Sequence, residues 1–279
     1  MAPPDIDTKA FHEFEHDAWQ QATDGYHRYI GGLTAQTIGP LLDSVAAAGG
    51  RSLLDIATGP GYVAAEAKRR GWSPVGIDFS EAMVEIARKL HPGVEFRVAN
   101  AEALSFGDAT FDRAVMSFGI LHLPQPDVAV REAYRVLRPG GMFAFTAWAK
   151  ADEALGFGVA LRAVEDHGDP GIRLPDGPSF FRFSDREECV RTLESCGFRN
   201  VTIAQIPMVW KLASAADVFE AFYAGTARTG ALLRAQPPAA RERVRAAMEI
   251  SAAAYARDGR FEIPMAALVV AARKPAPAR

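Results

Sequence analysis

The chain has 279 residues, 49% of them hydrophobic, enough to bury a full core and of a size that suits one large α/β domain with additions. Its formal net charge is −3, and no run of Lys and Arg exceeds Lys68-Arg69-Arg70, which argues against a nucleic-acid partner. No segment has the length and apolarity to span a bilayer, and Met1-Ala2-Pro3-Pro4-Asp5 lacks a basic region followed by an apolar run, so no membrane insertion and a cytoplasmic location are expected.

In chain order, Phe11, Phe14, Ala18 and Ala22 recur at helical spacing, and a second apolar run over 37–48 ends at Gly49-Gly50. Residues 1–50 therefore read as N-terminal helices forming a lid. Strands are predicted near Ser52–Ala57, Pro74–Ile77, Val94–Ala99, Arg113–Ser117 and Met142–Trp148, with helical stretches between them. That alternation belongs to a parallel sheet wound on both faces, in which ligands bind at the carboxyl ends of strands. Residues 51–149 are accordingly the cofactor-binding core.

A helix over Glu153–His167 and the turn-rich stretch Gly168–Pro178 read as a cap insertion, 150–183. The core resumes over 184–212. Ser184-Asp185-Arg186-Glu187 has capping-box spacing and leads through Leu193 and Gly197-Phe198 to a strand over Val201–Trp210. Two helices, Ala215–Leu233 and Pro238–Arg257, make a second cap insertion, 213–262, before the last core strand, Ala266–Ala272, and the tail, 263–279. The expected architecture is a doubly wound, mostly parallel seven-stranded α/β sheet with N-terminal helices and a helical cap over its active edge.

The most informative stretch is Leu53-Leu54-Asp55-Ile56-Ala57-Thr58-Gly59-Pro60-Gly61-Tyr62-Val63-Ala64, where an apolar strand runs into a glycine turn that opens a helix. Gly59 and Gly61 let the backbone approach a ligand, and the helix start offers unpaired N–H groups. Gly59-x-Gly61-x-x-Ala64 fits the dinucleotide fingerprint, and Asp78 sits where a ribose-binding acid belongs. Asp55 decides between cofactors. It sets a carboxylate where a dinucleotide would lay its pyrophosphate, and at about 4–6 Å that repulsion costs on the order of a few kcal/mol at an effective dielectric near 20. The same carboxylate favours a cationic ligand end, such as the amino group and sulfonium of S-adenosylmethionine.

The following motifs agree: Val75-Gly76-Ile77-Asp78-Phe79-Ser80-Glu81-Ala82-Met83, Val98-Ala99-Asn100-Ala101-Glu102-Ala103-Leu104, Phe111-Asp112-Arg113-Ala114-Val115-Met116-Ser117 and Val136-Leu137-Arg138-Pro139-Gly140-Gly141. In order and spacing over Arg51–Trp148 the chain resembles the class I S-adenosylmethionine-dependent methyltransferases, particularly the small-molecule group that includes the quinone-biosynthesis C-methyltransferases. The resemblance implies a Rossmann-like methyltransferase fold, S-adenosylmethionine as cofactor and S-adenosylhomocysteine as product. It also implies that Asp55, Ala57, Thr58, Gly59 and Gly61 hold the methionine end and that Asp78 takes both ribose hydroxyls, two acceptor oxygens for two donors. Phe79 and Met83 would pack on ribose and adenine, Asn100, Ala101 and Glu102 would read the adenine edge, and Ser117 would close the fourth strand beside the cofactor. Asn100 departs from the aspartate common in the family; its amide oxygen still accepts from the adenine amino group.

His122 follows the fourth strand, beside the methyl-transfer position of this fold. It is either a turn-shaping residue or a base that removes a proton from a hydroxyl or amine acceptor, work that suits an imidazole. The segment around it lacks the Asn/Asp-Pro-Pro-aromatic sequence of amide and base N-methyltransferases, which favours a small-molecule acceptor. Trp19, Tyr26, Phe219, Phe222 and Tyr223 are candidate acceptor-binding residues, with core packing as the alternative. His12-Glu13-Phe14-Glu15-His16 has the spacing of a zinc-protease helix but no third ligand in view, so no metal is expected. Cys189 and Cys196 are seven residues apart on one predicted helix, too far for a bridge. The chain is expected to be a monomer or homodimer. Two other functions fit parts of the sequence, an NAD-dependent oxidoreductase, which Asp55 opposes, and a non-catalytic S-adenosylmethionine-binding protein.

Overall fold

The computed structural model describes residues 6–276 and divides the chain into two compact units. One holds the chain up to Leu33, Lys150–Gly177 and Pro207–Ala266; the other holds Thr34–Ala149, Pro178–Ile206 and the chain from Ala267 onward. The segment 34–50, read from sequence as part of a lid, thus belongs to the same unit as the cofactor motifs.

The sheet consists of β1 (Ser52–Ile56), β2 (Ser73–Asp78), β3 (Glu95–Val98), β4 (Phe111–Ser117), β5 (Leu137–Trp148), β6 (Arg199–Leu212), β7 (Ala256–Arg257) and β8 (Arg260–Arg273). Seven of them run in the order β3-β2-β1-β4-β5-β8-β6, and the two-residue β7 adds an eighth by pairing with β8. β1, β2, β3, β4 and β5 pair in parallel; β8 runs antiparallel to β5, with Met142 opposite Arg273 and Trp148 opposite Ala267. The chain steps outward from β1 to β3 and then returns to lay β4 on the other side of β1. That reversal is the switch point, where a crevice opens outside the carboxyl ends of β1 and β4.

Period-two alternation assigns β5 two faces. Ala144 joins the cluster built by α3 (Ile38–Ser44) and α4 (Tyr62–Arg69), in which Leu41, Leu42, Val45, Val63 and Ala67 pack on Leu53, Val115 and Val269. Phe143 and Phe145 belong to the opposite face, stacked on Phe198 at 5.7 Å and edge-on to Phe183 at 5.4 Å. The helices of this face are α6 (Pro126–Val136) and α8 (Arg186–Ser195). Full burial of one such ring contributes on the order of 1.5–3 kcal/mol. Arg113 is tolerated inside the central strand β4 because its guanidinium donates to the carbonyls of Val45 (3.1 Å), Gly50 (3.0 Å) and Ala48, closing the turns after α3.

In the other unit, α1 (Thr8–Gly25) is capped by Asp7, whose Oδ1 accepts from the N–H groups of Lys9 and Ala10. It runs into a π-helical turn, Tyr26–Ile30, and the Trp210 indole donates to the Tyr29 carbonyl at 3.0 Å. A Cβ at Gly25 would strike the Ala224 carbonyl, so only glycine lets these backbones approach. The remaining helices are α7 (Leu155–His167), α9 (Ala216–Gly225), α10 (Arg228–Ala235) and α11 (Pro238–Ala252). The motif His12-Glu13-Phe14-Glu15-His16 lies on α1 with Glu15 fully buried and paired to Arg228, while the exposed Glu13 faces Lys9. Among the described residues no cluster of metal-ligating side chains occurs, and no helix is long and apolar enough to cross a membrane.

Several boundaries differ from those expected: the helix expected over Pro238–Arg257 ends at Ala252, with Ala256–Arg257 forming β7, and the last strand starts at Arg260 rather than Ala266. The helix expected over Ala215–Leu233 is two, because Thr226 accepts from the Gly230 N–H (3.0 Å) and donates to the Phe222 carbonyl (2.7 Å), ending one helix and opening the next. The N-cap of α8 is Asp185, not Ser184: its carboxylate accepts from the N–H groups of Glu187 and Glu188, and Ser184 instead closes a 3₁₀ turn onto the Phe181 carbonyl. β5 starts at Leu137, five residues before Met142, because Leu137 pairs with Phe111 ahead of a bulge. Cys189 and Cys196 are buried free thiols, and burial pushes the Cys189 thiol up to about 12.

Candidate cofactor site at the switch point

The glycine turn after β1 is held by two acids from neighbouring strands. Asp55, at the end of β1, has Oδ2 accepting from the Thr58 hydroxyl (2.6 Å) and from the Ala64 N–H in the first turn of α4 (3.0 Å). Asp78, at the end of β2, has Oδ2 accepting from the Gly59 N–H (2.9 Å) and Oδ1 from the Ser80 N–H (3.0 Å). Thr58 also donates its N–H to the Ile77 carbonyl at 2.8 Å, so β2 and the turn are stitched by main chain as well. Gly61, with φ +84°, is the N-cap of α4, and a Cβ there would lie 2.6 Å from the Phe96 ring.

Burial dominates the electrostatics. It pushes the Asp55 carboxyl up to about 7, opposed by the hydrogen bonds from Thr58 and Ala64 and reinforced by the charge of Asp78. Burial likewise pushes Asp78 up to about 6, against its backbone hydrogen bonds and the positive charge of a protonated His122. Asp55 Oδ1 is buried without a hydrogen-bond partner. A desolvated carboxylate with an unfilled acceptor demands a donor carrying positive charge, and the cationic methionine end of S-adenosylmethionine meets that demand. A pyrophosphate does not, and the Ala64 N–H that could have greeted it is already bonded to Asp55.

Strain marks the same corner. Ala57 (φ +55°), directly after β1, and Phe118 (φ +54°), directly after β4, hold left-handed conformations rare for residues with a Cβ. A Cβ on Gly119 would come within 2.5 Å of the Ala57 Cβ, so the two turns are in contact. Phe118 is locked by its N–H on the Thr146 hydroxyl (2.9 Å) and by its ring against Trp148, centroids 4.3 Å apart.

The remaining predicted residues fall into two groups. Ser80 caps α5 (Glu81–Leu90) through the Met83 N–H, which fixes Met83, buried, and places half-buried Phe79 in the turn beside Asp78. The Asn100 amide oxygen accepts from the Glu102 N–H at 2.8 Å, and Glu102 Oε1 accepts from the Gln125 N–H at 2.5 Å, so both shape the loop that carries buried Ala101. One lone pair of the Asn100 oxygen remains for an adenine amino group. Ser117 closes β4 opposite Thr146, and half-buried His122 follows five residues on, its ring edge-on to Phe180 at 6.0 Å. Trp19, Tyr26, Phe219, Phe222 and Tyr223 belong to the other unit. Trp19 meets Tyr26 edge-on at 5.6 Å, Phe219 stacks on Tyr223, and Phe222 is fully buried against Phe157 and Trp210.

Sequence reasoning missed Ser80, Phe96, Phe118, Thr146 and Trp148. Only Ser80 left a local signal, a cap residue just before an apolar helix. The others act through pairings between distant strands.

Residues 54–145 match the family described as methyltransferase domain. A ubiquinone/menaquinone biosynthesis C-methyltransferase UbiE from Bradyrhizobium diazoefficiens is 43% identical over 101 residues, 33% of this chain and 40% of that protein. The enzyme of the same name from Bartonella quintana is 30% identical over 187 residues, 57% of this chain and 71% of that protein. A Thermotoga maritima structure described as a SAM-dependent methyltransferase, possible histamine N-methyltransferase, is similar with a TM-score of 0.54 at 22% identity, over 93% of this chain and 99% of that one, a likeness of fold. Most of the first curated relatives are matched over less than half of their own length, as the 40% for the Bradyrhizobium protein illustrates. With the sheet order, the paired acids and the glycine turn, these likenesses show that the chain belongs to the class I S-adenosylmethionine-dependent methyltransferases, resembling within them the quinone-biosynthesis C-methyltransferase group.

Proposed function

We propose that this chain binds S-adenosylmethionine through Asp55, Thr58–Gly61, Asp78–Met83 and Asn100–Glu102 and transfers its methyl group to a small molecule at the carboxyl end of β4. The observation that carries the reading is the buried, unpartnered Oδ1 of Asp55 beside a glycine turn held from its other side by Asp78. The cofactor, when bound, supplies a methyl group on a cationic sulfur, a good leaving group. Asp55 and the turn orient the methionine end, the Asp78 carboxylate accepts from the ribose hydroxyls, and the rigid Ala57 and Phe118 turns fix where the acceptor stands. Positioning of this kind supplies up to roughly 7–11 kcal/mol of a barrier. His122 receives the proton of a hydroxyl or amine acceptor; an acceptor carbon already present as an enolate needs no such step.

The net charge of −3 and the absence of a basic run support a small acceptor over nucleic acid. The curated relatives support a ring-bearing carbon acceptor as the first class to screen. Calorimetry with S-adenosylhomocysteine and, in parallel, NADH tests the cofactor. Saturable binding of the first alone is expected, and NADH binding without S-adenosylhomocysteine binding refutes the proposal. Release of S-adenosylhomocysteine in a screen of quinols, phenols and amines then separates an enzyme from a protein that only holds the cofactor.

A further inference from the structure

A second cluster of charge lies entirely within the other unit, at the corner between α10 and α11. Here the rings of Phe219 and Tyr223 stack at 5.4 Å, and arginines flank the pair. Arg245 lies 4.2 Å over Phe219 and is neutralised by Glu220 at 2.7 Å, with Glu242 at 3.7 Å. Over Tyr223 lie two more guanidiniums, Arg234 at 6.0 Å and Arg241 at 5.9 Å. Among the described residues neither has a carboxylate within ion-pair distance. Arg234 donates to the Tyr223 carbonyl, and Arg241 reaches the Arg234 carbonyl at 3.4 Å. The nearby acids are engaged elsewhere: Glu220 and Glu242 face Arg245, and Asp169 accepts from the Gly171 N–H.

Two cations half withdrawn from water without an anion are expensive unless a ligand supplies one. Burial lowers the affinity of Arg234 for its proton, the direction expected of a guanidinium lacking a counter-charge. Two further features favour negative charge at this corner. Arg241 lies in the opening turns of the 15-residue α11, whose first turn carries no acid to offset the positive end of the helix. Gln236, 2% exposed and immediately before that helix, gives its Oε1 to the Asp169 N–H at 2.6 Å. Its Nε2 is buried with no acceptor. The Tyr223 ring adds a flat, half-buried surface with a hydroxyl at its edge.

We propose that Arg234 and Arg241, beside the Tyr223 ring, form a binding site for an anionic small molecule bearing a phosphate or carboxylate group. A guanidinium fork matches either group, and two forks at one ring suit a ligand with several acceptor oxygens. The site involves none of the cofactor-binding residues, and of its members only Tyr223 is also a candidate acceptor contact, so the anion titration needs neither cofactor nor acceptor.

The test follows the arginine Nε–Hε resonances of the full chain during separate titrations with inorganic phosphate and with succinate, against sodium chloride at matched ionic strength. Saturable shifts of Arg234 and Arg241 with phosphate, with succinate or with both are expected, and the pattern identifies the group preferred. Arg241→Gln should weaken binding by about tenfold or more, as loss of a charge-assisted pair does. Arg241→Lys should fall between, because it keeps the charge and loses the fork. Arg234 also supports the backbone at Tyr223, so its variants are judged with melting curves, whereas Arg241 has one long backbone contact to lose. Shifts no larger than those in chloride, or unchanged affinity in Arg241→Gln, overturn the proposal.

Discussion

Asp55 and Asp78 hold one turn from two adjacent strands, Asp55 through the Thr58 hydroxyl and the Ala64 N–H and Asp78 through the Gly59 N–H; burial raises the cost of ionising each, and the charge of Asp78 adds to the cost at Asp55. Their folded-state pKa values, about 7 and about 6, exceed the ordinary 3.8. The folded protein therefore holds more protons than the unfolded chain between these limits. Stability from this pair is fully present below about 3.8 and is lost as pH rises through about 6 to 7.

Cofactor binding should show the opposite trend. The ammonium of the methionine end selects an ionised Asp55, so affinity for S-adenosylhomocysteine should fall as pH drops below about 7, on the order of tenfold between roughly pH 8 and pH 5.5. Calorimetry in buffers of different ionisation enthalpy should also detect proton release on binding. A pH-independent affinity would show that Asp55 does not face the ammonium.

Asp55→Asn separates the two roles of this residue. The amide oxygen still accepts from Thr58 or Ala64, and no charge has to be buried, so the apo melting temperature near pH 8 should hold or rise. Affinity for S-adenosylhomocysteine should nevertheless fall by roughly tenfold to a hundredfold, the worth of a charged hydrogen bond. Loss of stability with intact affinity would make Asp55 a purely structural acid. Asp78→Ala should weaken the ligand by a similar factor through the ribose.

The two glycines of the turn should not be equivalent. At Gly59 (φ +52°) a Cβ meets open space, so Gly59→Ala should cost only the left-handed backbone, about 1–2 kcal/mol. At Gly61 the same strain adds to a clash with the Phe96 ring. Urea unfolding should rank Gly61→Ala as clearly the more damaging, and a Phe96→Leu background should narrow the gap.

What the sequence disclosed here was local. The Asp55-to-Ala64 turn, the Asp78 acid and the five strands between Ser52 and Trp148 declare themselves through short apolar runs and glycines, because their chemistry sits within about ten residues. Phe96 against Gly61, Thr146 under Phe118, and the early start of β5 depend on partners up to dozens of residues away, and no periodicity records them. The break between α9 and α10 was hidden for a different reason. Ala215–Leu233 contains no proline to break a helix, and the hydroxyl of Thr226 and the close approach of Gly225 to Gly25 divide it. The arginine pair at Tyr223 was equally hidden, since Arg234 and Arg241 carry no motif and share a ring only in the folded chain.

His122 carries the remaining chemical question, and its link to Asp78 makes the answer measurable. Its positive charge lowers the Asp78 pKa, so His122→Ala should let that carboxyl rise further and weaken S-adenosylhomocysteine more in acid than near pH 8. Near pH 8, affinity should stay close to wild type. Turnover on a hydroxyl or amine acceptor should drop by roughly 10²–10⁴, the usual worth of a positioned base. The wild-type rate should climb with rising pH as the base is freed of its proton, and the variant should lose that dependence. A turn-shaping residue would behave differently, because the His122 N–H on the Gly119 carbonyl survives the substitution while the ring's packing against Phe180 is lost. A lower melting temperature with near-normal turnover is therefore the signature of structure, and intact folding with a collapsed, pH-flat rate is the signature of a base.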